Sequence, residues 1–307
     1  SKKSCNHGKK EVYYIGPSPT DTGSFVSSED GLPQTEVDVL RIVAIGCTHL
    51  FTDHVHLPRS GGDVLVHAGD LQYEESRSLW EDKWKKLLAE PGKNPLTVKA
   101  VKDWFEKEKV SLGDSLKWLQ SVPAFRDKIL VGGNHDYILE QLDIKGIAVG
   151  LCATYGLTYL RTEDEPKPLP CSKLVVWGSG LSAMSQVGGT RAVISENYSY
   201  QHDMEDLDGF DRKTKHIYEG YQGPKPHLMV MHGPPCTSCL GKKGKDLPGV
   251  SELIEKMKPK VFVCSHSHNP SLGDLKEGRH HANADGTRAV NAACLGIWNH
   301  AHGTPVV

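Results

Sequence analysis

Seven short β-branched runs recur along this chain, and most of them end in a polar cluster. They are VLRIVAIG (39–46), DVLVHAG (63–69), KILVGG (128–133), KLVVWGSG (173–180), HLMVMHG (227–233), KVFVCSH (260–266) and RAVNAA (288–293). Each has the length of a strand, and their near-continuous apolar character predicts strands covered on both faces. Two stretches between them carry helical spacing instead. Trp80, Trp84, Leu87 and Leu88 form an apolar stripe within 74–90. Val98, Val101, Trp104, Phe105, Leu116 and Leu119 predict a second helical region over 96–120, broken near Gly113. VSELIEKMK (250–258) is amphipathic, stops at Pro259 and feeds the strand from 260. These alternations define an α/β protein, and such folds place their chemistry where strands end.

The 307 residues divide unevenly. Residues 1–36 are rich in Ser, Pro, Gly and Lys and read as a tail or surface wrap. Residues 37–307 read as one domain, with a helical insertion at about 72–120 and an irregular insertion at about 185–226. A formal net charge of −2 leaves no electrostatic footprint for nucleic acid or an anionic membrane. No apolar run reaches the roughly 18 residues of a membrane span. The opening SKKSCNHGKK lacks the apolar core of a signal peptide, so a cytoplasmic location is the expectation. Eight cysteines at irregular spacings do not form a disulfide framework. The sixteen histidines are more informative, because imidazole is a common metal ligand.

Five strand ends carry reactive residues: Cys47-Thr48-His49, Gly69-Asp70, Gly132-Gly133-Asn134-His135-Asp136, His232-Gly233-Pro234-Pro235 and His266-Ser267-His268. One such cluster is weak evidence, since a strand-end histidine is usually structural. Five in order, each closing an apolar run, are a strong signal, because loops after strands of one sheet converge at its C-terminal edge. One carboxylate, one carboxamide oxygen and several imidazoles suffice to hold two metal ions, and Asp70 is short enough to bridge them. Two ions about 3.5–4 Å apart clamp the oxygens of an in-line displacement and acidify a bridging water. Glycines before Asp70 and Asn134 let the backbone turn back over the strand.

In this order the motifs resemble the calcineurin-like metallophosphoesterase superfamily, whose pattern is D-x-H, GD, GNH(D/E), H and GHxH. The stretches GDVLVHAGDL, KILVGGNHDYIL, MVMHGPP and DGTRAVNAACLGIWNHAHGTPVV are most similar to its class III phosphodiesterase and brain 239-like branch. The resemblance implies a four-layer αββα sandwich with two mixed sheets flanked by helices. It also implies hydrolysis of a small-molecule phosphoester, a phosphodiester such as a cyclic nucleotide, by in-line attack of a metal-bound hydroxide. Phosphomonoesterases and phosphoprotein phosphatases share the fold, which by itself does not choose among them. Carried over by position, the first divalent ion (Mn, Zn or Fe) falls to Cys47, His49, Asp70 and His268. The second falls to Asp70, Asn134, His232 and His266. His135 matches the histidine that contacts phosphate and assists the leaving group, with Asp136 or Glu74 to orient it.

Two positions depart from the pattern. Cys47 stands where the superfamily has Asp, and Ser265 where a Gly usually precedes the paired histidines. Three readings of Cys47 stand open. Its thiolate ligates metal and biases the site toward Zn or Fe; or it does not ligate and the enzyme is slow; or the fold serves as a binding scaffold. Cys236 and Cys239 form a single CxxC after His232, a weak motif that reads as two loop cysteines.

Overall fold

Successive side chains of a strand point to opposite faces, and here both faces are apolar because each meets a different layer. The computed structural model describes residues 40–55, 57–58, 61–72, 77–90, 96–122, 125–183, 199–202, 214–233, 250–266, 280–282 and 287–293. All seven β-branched runs supply strands: β1 (Ile42–Ile45), β2 (Gly62–Ala68), β3 (Phe125–Val131), β6 (Val175–Ser179), β9 (Leu228–Met231), β10 (Val261–Cys264) and β12 (Arg288–Asn291). Short strands β4 (Thr158–Tyr159), β5 (Lys167–Pro168) and β11 (His280–Ala282) extend the sheets, and β7 (Ser182–Ala183) pairs with β8 (Gln201–His202).

One sheet has the order β1-β2-β3-β4 and is parallel throughout. The other has the order β11-β12-β10-β9-β6-β5, parallel at its centre with an antiparallel strand at each edge. Ala44, Val64, Val66, Ile129 and Val131 from the first sheet pack against Val176, Leu228, Val230, Val263 and Val290 from the second. The alternate residues Val43, Ile45, Leu65 and Leu130 face outward onto helices α1 (Arg77–Ala89), α2 (Val98–Glu108), α3 (Ser111–Ser121), α4 (Tyr137–Ile144) and α5 (Ala148–Ala153). On the far side Trp177, Met229, Met231 and Phe262 face α6 (Val250–Met257) through Leu253, Ile254 and Met257. The order of layers is therefore helix, sheet, sheet, helix.

The helical break falls elsewhere than at Gly113. Lys109, in the left-handed conformation at φ 54°, ends α2, and its N–H returns to the Phe105 carbonyl. Gly113 lies inside α3, where a Cβ would come within 2.9 Å of the Phe105 ring. This glycine serves close packing between two helices and does not stop one.

Candidate metal centre

The C-terminal ends of β1, β2, β3, β9 and β10 meet at one edge of the sandwich, where the backbone is bent hard. Cys47 (φ 52°), His49 (45°), Asp70 (57°) and His266 (64°) all take positive φ without being glycine. Such a residue costs of order 1–3 kcal/mol and persists only where its surroundings enforce it. Four of them at candidate ligand positions mark the edge as a built site.

Asp70 stands at the centre, almost fully buried. Its Oδ1 accepts the His135 backbone N–H at 2.9 Å. Its Oδ2 faces Cys47 Sγ at 3.8 Å, His49 Nε2 at 3.8 Å and His232 Nε2 at 3.1 Å. Two groups able to hold a cation result, Cys47–His49–Asp70 and Asp70–His232–His266, with the ligand atoms of each within 4.8 Å of one another. Burial works to raise the Asp70 carboxyl, but His232, His135 and His49 together carry it well below the usual carboxylate range.

Tautomers give the donor set a direct test. His49 Nδ1 lies 3.0 Å from the Gln72 carbonyl and must donate to it, which leaves Nε2 as a lone pair turned toward Asp70. His232 Nδ1 lies 2.8 Å from the Ala68 carbonyl and likewise donates to it. His232 Nε2 faces Asp70 Oδ2 at 3.1 Å, Asn134 Oδ1 at 2.9 Å and His266 Nδ1 at 3.1 Å. Imidazole nitrogens, a carboxylate oxygen and a carboxamide oxygen converging in this way can hold a cation in place of the proton on Nε2. The residues present therefore fit divalent metal ions. Burial works to lower His232, yet the charge and hydrogen bond of Asp70 raise it.

Cys47 is fully buried, and its sulfur accepts the His266 backbone N–H at 3.1 Å. The neighbouring Thr48 hydroxyl is 3.0 Å from Nε2 of His67, whose ring faces the helical layer. Burial depresses His67 to about 3, so it is a neutral packing residue.

The expected role of Asp136 changes. Rather than reaching His135, its buried carboxylate accepts four backbone N–H groups, from Asp70 (2.9 Å), Leu71 (2.9 Å), Gln72 (3.0 Å) and Gly133 (2.9 Å). It clamps the loop after β2 to the loop after β3, and holds Asp70 in its strained conformation. Burial and then the Asp70 charge push its carboxyl up to about 7, against the pull of the N–H groups. Gly133 completes the clamp, because a Cβ there would collide with the Asp70 backbone nitrogen and Oδ1. His135 is half-buried, its ring edge 4.7 Å between centroids from His49, and its Nδ1 is buried without a partner among the described residues.

Cys47, His49, Asp70, Asn134, His135, His232 and His266 thus gather at one edge. His268, Glu74, Cys236, Cys239, His56, His300, His302 and the tail 1–36 lie outside the described residues, as does much of 185–226. Sequence reasoning missed the carbonyls of Ala68 and Gln72, which carry no side-chain signature. Ser265 stood out only as a departure, yet its hydroxyl bonds the Ala68 carbonyl and lies 3.0 Å from His232 Nδ1.

This fold and this paired ligand set suit metal-dependent phosphoester hydrolysis. A family model for calcineurin-like phosphoesterases matches residues 40–270, and the chain belongs to that family. Among solved structures, one crystal structure matches at 12% identity over 81% of this chain and 89% of its own, with a TM-score of 0.47. The crystal structure of TT1561 of Thermus thermophilus matches at 14% identity over 82% and 89%, with a TM-score of 0.42. No curated protein matches. Among the described residues no helix is long and apolar enough to cross a membrane.

Proposed function

We propose that the chain is a phosphodiesterase that acts on a small phosphodiester, such as a cyclic nucleotide, with two divalent ions. The observation that carries the two-ion part of this reading is the single oxygen of Asp70 shared by two ligand groups, Cys47 and His49 on one side and His232 and His266 on the other, while the diester rests on the motif resemblance. Asn134 adds a carboxamide oxygen beside His232. Ions held there would supply Lewis-acid stabilisation of the phosphoryl oxygens and an activated water. A sulfur ligand favours Zn or Fe over Mg at the Cys47 side.

The protein's own residues account for the rest. Asp136 and the His135 N–H hold Asp70 so that one oxygen stays committed to backbone and the other faces the ligands. His135 packs edge-on against His49 and keeps partial exposure, so its imidazole is available to meet a phosphate oxygen. As an imidazolium it would hand a proton to the departing alkoxide, a role worth about 10²–10⁴-fold.

The test is hydrolysis of bis(p-nitrophenyl) phosphate, p-nitrophenyl phosphate and a cyclic nucleotide with added Mn²⁺ or Zn²⁺. Diester turnover should exceed monoester turnover, and His135→Ala should lower it by about 10²-fold or more. Faster turnover of the monoester would move the substrate class. A metal-binding scaffold with little turnover is the second reading, favoured by Cys47 standing where the superfamily has Asp. Failure of every substrate with every ion would establish it.

A further inference from the structure

Ser265 joins the two sheets at the floor of the metal centre. It follows β10, is fully buried, and its backbone N–H donates to the His232 carbonyl at 3.0 Å. Its hydroxyl donates to the carbonyl of Ala68, the last residue of β2 on the opposite sheet. With that proton spent, the oxygen presents a lone pair to His232 Nδ1, 3.0 Å away. Nδ1 thus sits between two acceptors, the Ser265 hydroxyl and the Ala68 carbonyl at 2.8 Å. Gly46 makes the arrangement possible: a Cβ there would stand 2.6 Å from Ser265 Cβ and 2.8 Å from its Oγ.

This placement matters because the ligands are divided between the sheets. Cys47, His49 and Asp70 belong to the ends of β1 and β2, whereas His232 and His266 belong to the ends of β9 and β10. Their relative positions depend on bonds that cross the gap. Ser265 makes one such bond directly and steadies another, that of His232 to Ala68. Cys47 makes a third with the His266 N–H. Both departures from the usual motif therefore lie on the seam between the two ligand groups.

Resting on the two-ion reading above, we propose that Ser265 is a positioning residue for the second ion. Its hydroxyl braces the Ala68 carbonyl and the His232 Nδ1 that donates to it, and so aims Nε2 at Asp70 Oδ2. Partners in this position are worth about 10–100-fold in metal affinity.

The experiment compares the full chain with its Ser265→Ala and Ser265→Gly variants, each first stripped of metal. Titration with Co²⁺ by calorimetry separates the two binding steps. Both variants should weaken one step by about tenfold or more and leave the other within about twofold. Long-range ¹H–¹⁵N correlation of His232 reads the setting of its ring without any metal, and its Nδ1 and Nε2 shifts should move in both variants. Unchanged binding steps, or two steps weakened equally, would overturn the proposal. If the parent bound no Co²⁺ the two-ion reading would fall, and unmoved His232 ring shifts in the variants would separately overturn the role of Ser265.

Discussion

The half of the candidate metal centre on the four-stranded sheet is built from Cys47, His49 and Asp70, and the half on the six-stranded sheet from His232 and His266. The first half is held by backbone. All three of its ligands have positive φ, His49 is anchored on the Gln72 carbonyl, and Asp70 is gripped by a loop that Asp136 clamps. The second half is held by side chains meeting across a gap: His232 on Ala68, Ser265 beside it, and His266 against His232. The first half offers sulfur, nitrogen and oxygen, the second mostly nitrogen. A strained loop fixes a ligand's direction before any ion arrives, whereas a network of imidazoles depends on how two sheets dock. The two halves should therefore fail in different ways.

Asp70→Asn should have the largest effect, because both halves lose their shared oxygen. Diester hydrolysis should fall at least about a thousandfold, equivalent to about 4 kcal/mol, as read by initial rates alongside elemental analysis. A variant that still bound two ions would break the picture of one shared oxygen.

Asp136→Ala should act on the first half through its loops. Four buried N–H groups would lose their acceptor, and stability should drop by about 3 kcal/mol or more in urea unfolding. A drop below about 1 kcal/mol would mean that the loops hold Asp70 without the clamp.

Cys47→Asp should be the mildest and the most selective. The ratio of Zn²⁺ to Mn²⁺ affinity at one site should fall about tenfold as sulfur gives way to oxygen, while the other site keeps its preference. Equal preferences before and after, measured by competition dialysis, would take Cys47 out of the ligand set.

Much of this was legible in the chain before any fold was known. Runs such as DVLVHAG and KVFVCSH gave strands because a residue buried on either face must be apolar, whichever layer it meets. That the strand-end residues Asp70, Asn134, His232 and His266 gather at one edge was legible because loops after strands of one sheet converge there. Gly113 misled, since its helix-breaking chemistry was outweighed by contact with Phe105. Asp136 misled as well. Adjacent to His135, it invited a catalytic role, yet its nearest demand was for N–H groups up to 66 positions away.

By itself, then, the sequence determined the elements and the inventory of candidate ligands, because strand and helix periodicity and side-chain chemistry are local properties. Tertiary structure alone decided that β1–β4 and β5–β12 split as they do, apart from the β7–β8 pair, and that Asp136 clamps while Ser265 ties the sheets. Those outcomes rest on backbone groups, which every residue carries alike, so no residue code announces which N–H or carbonyl will be met.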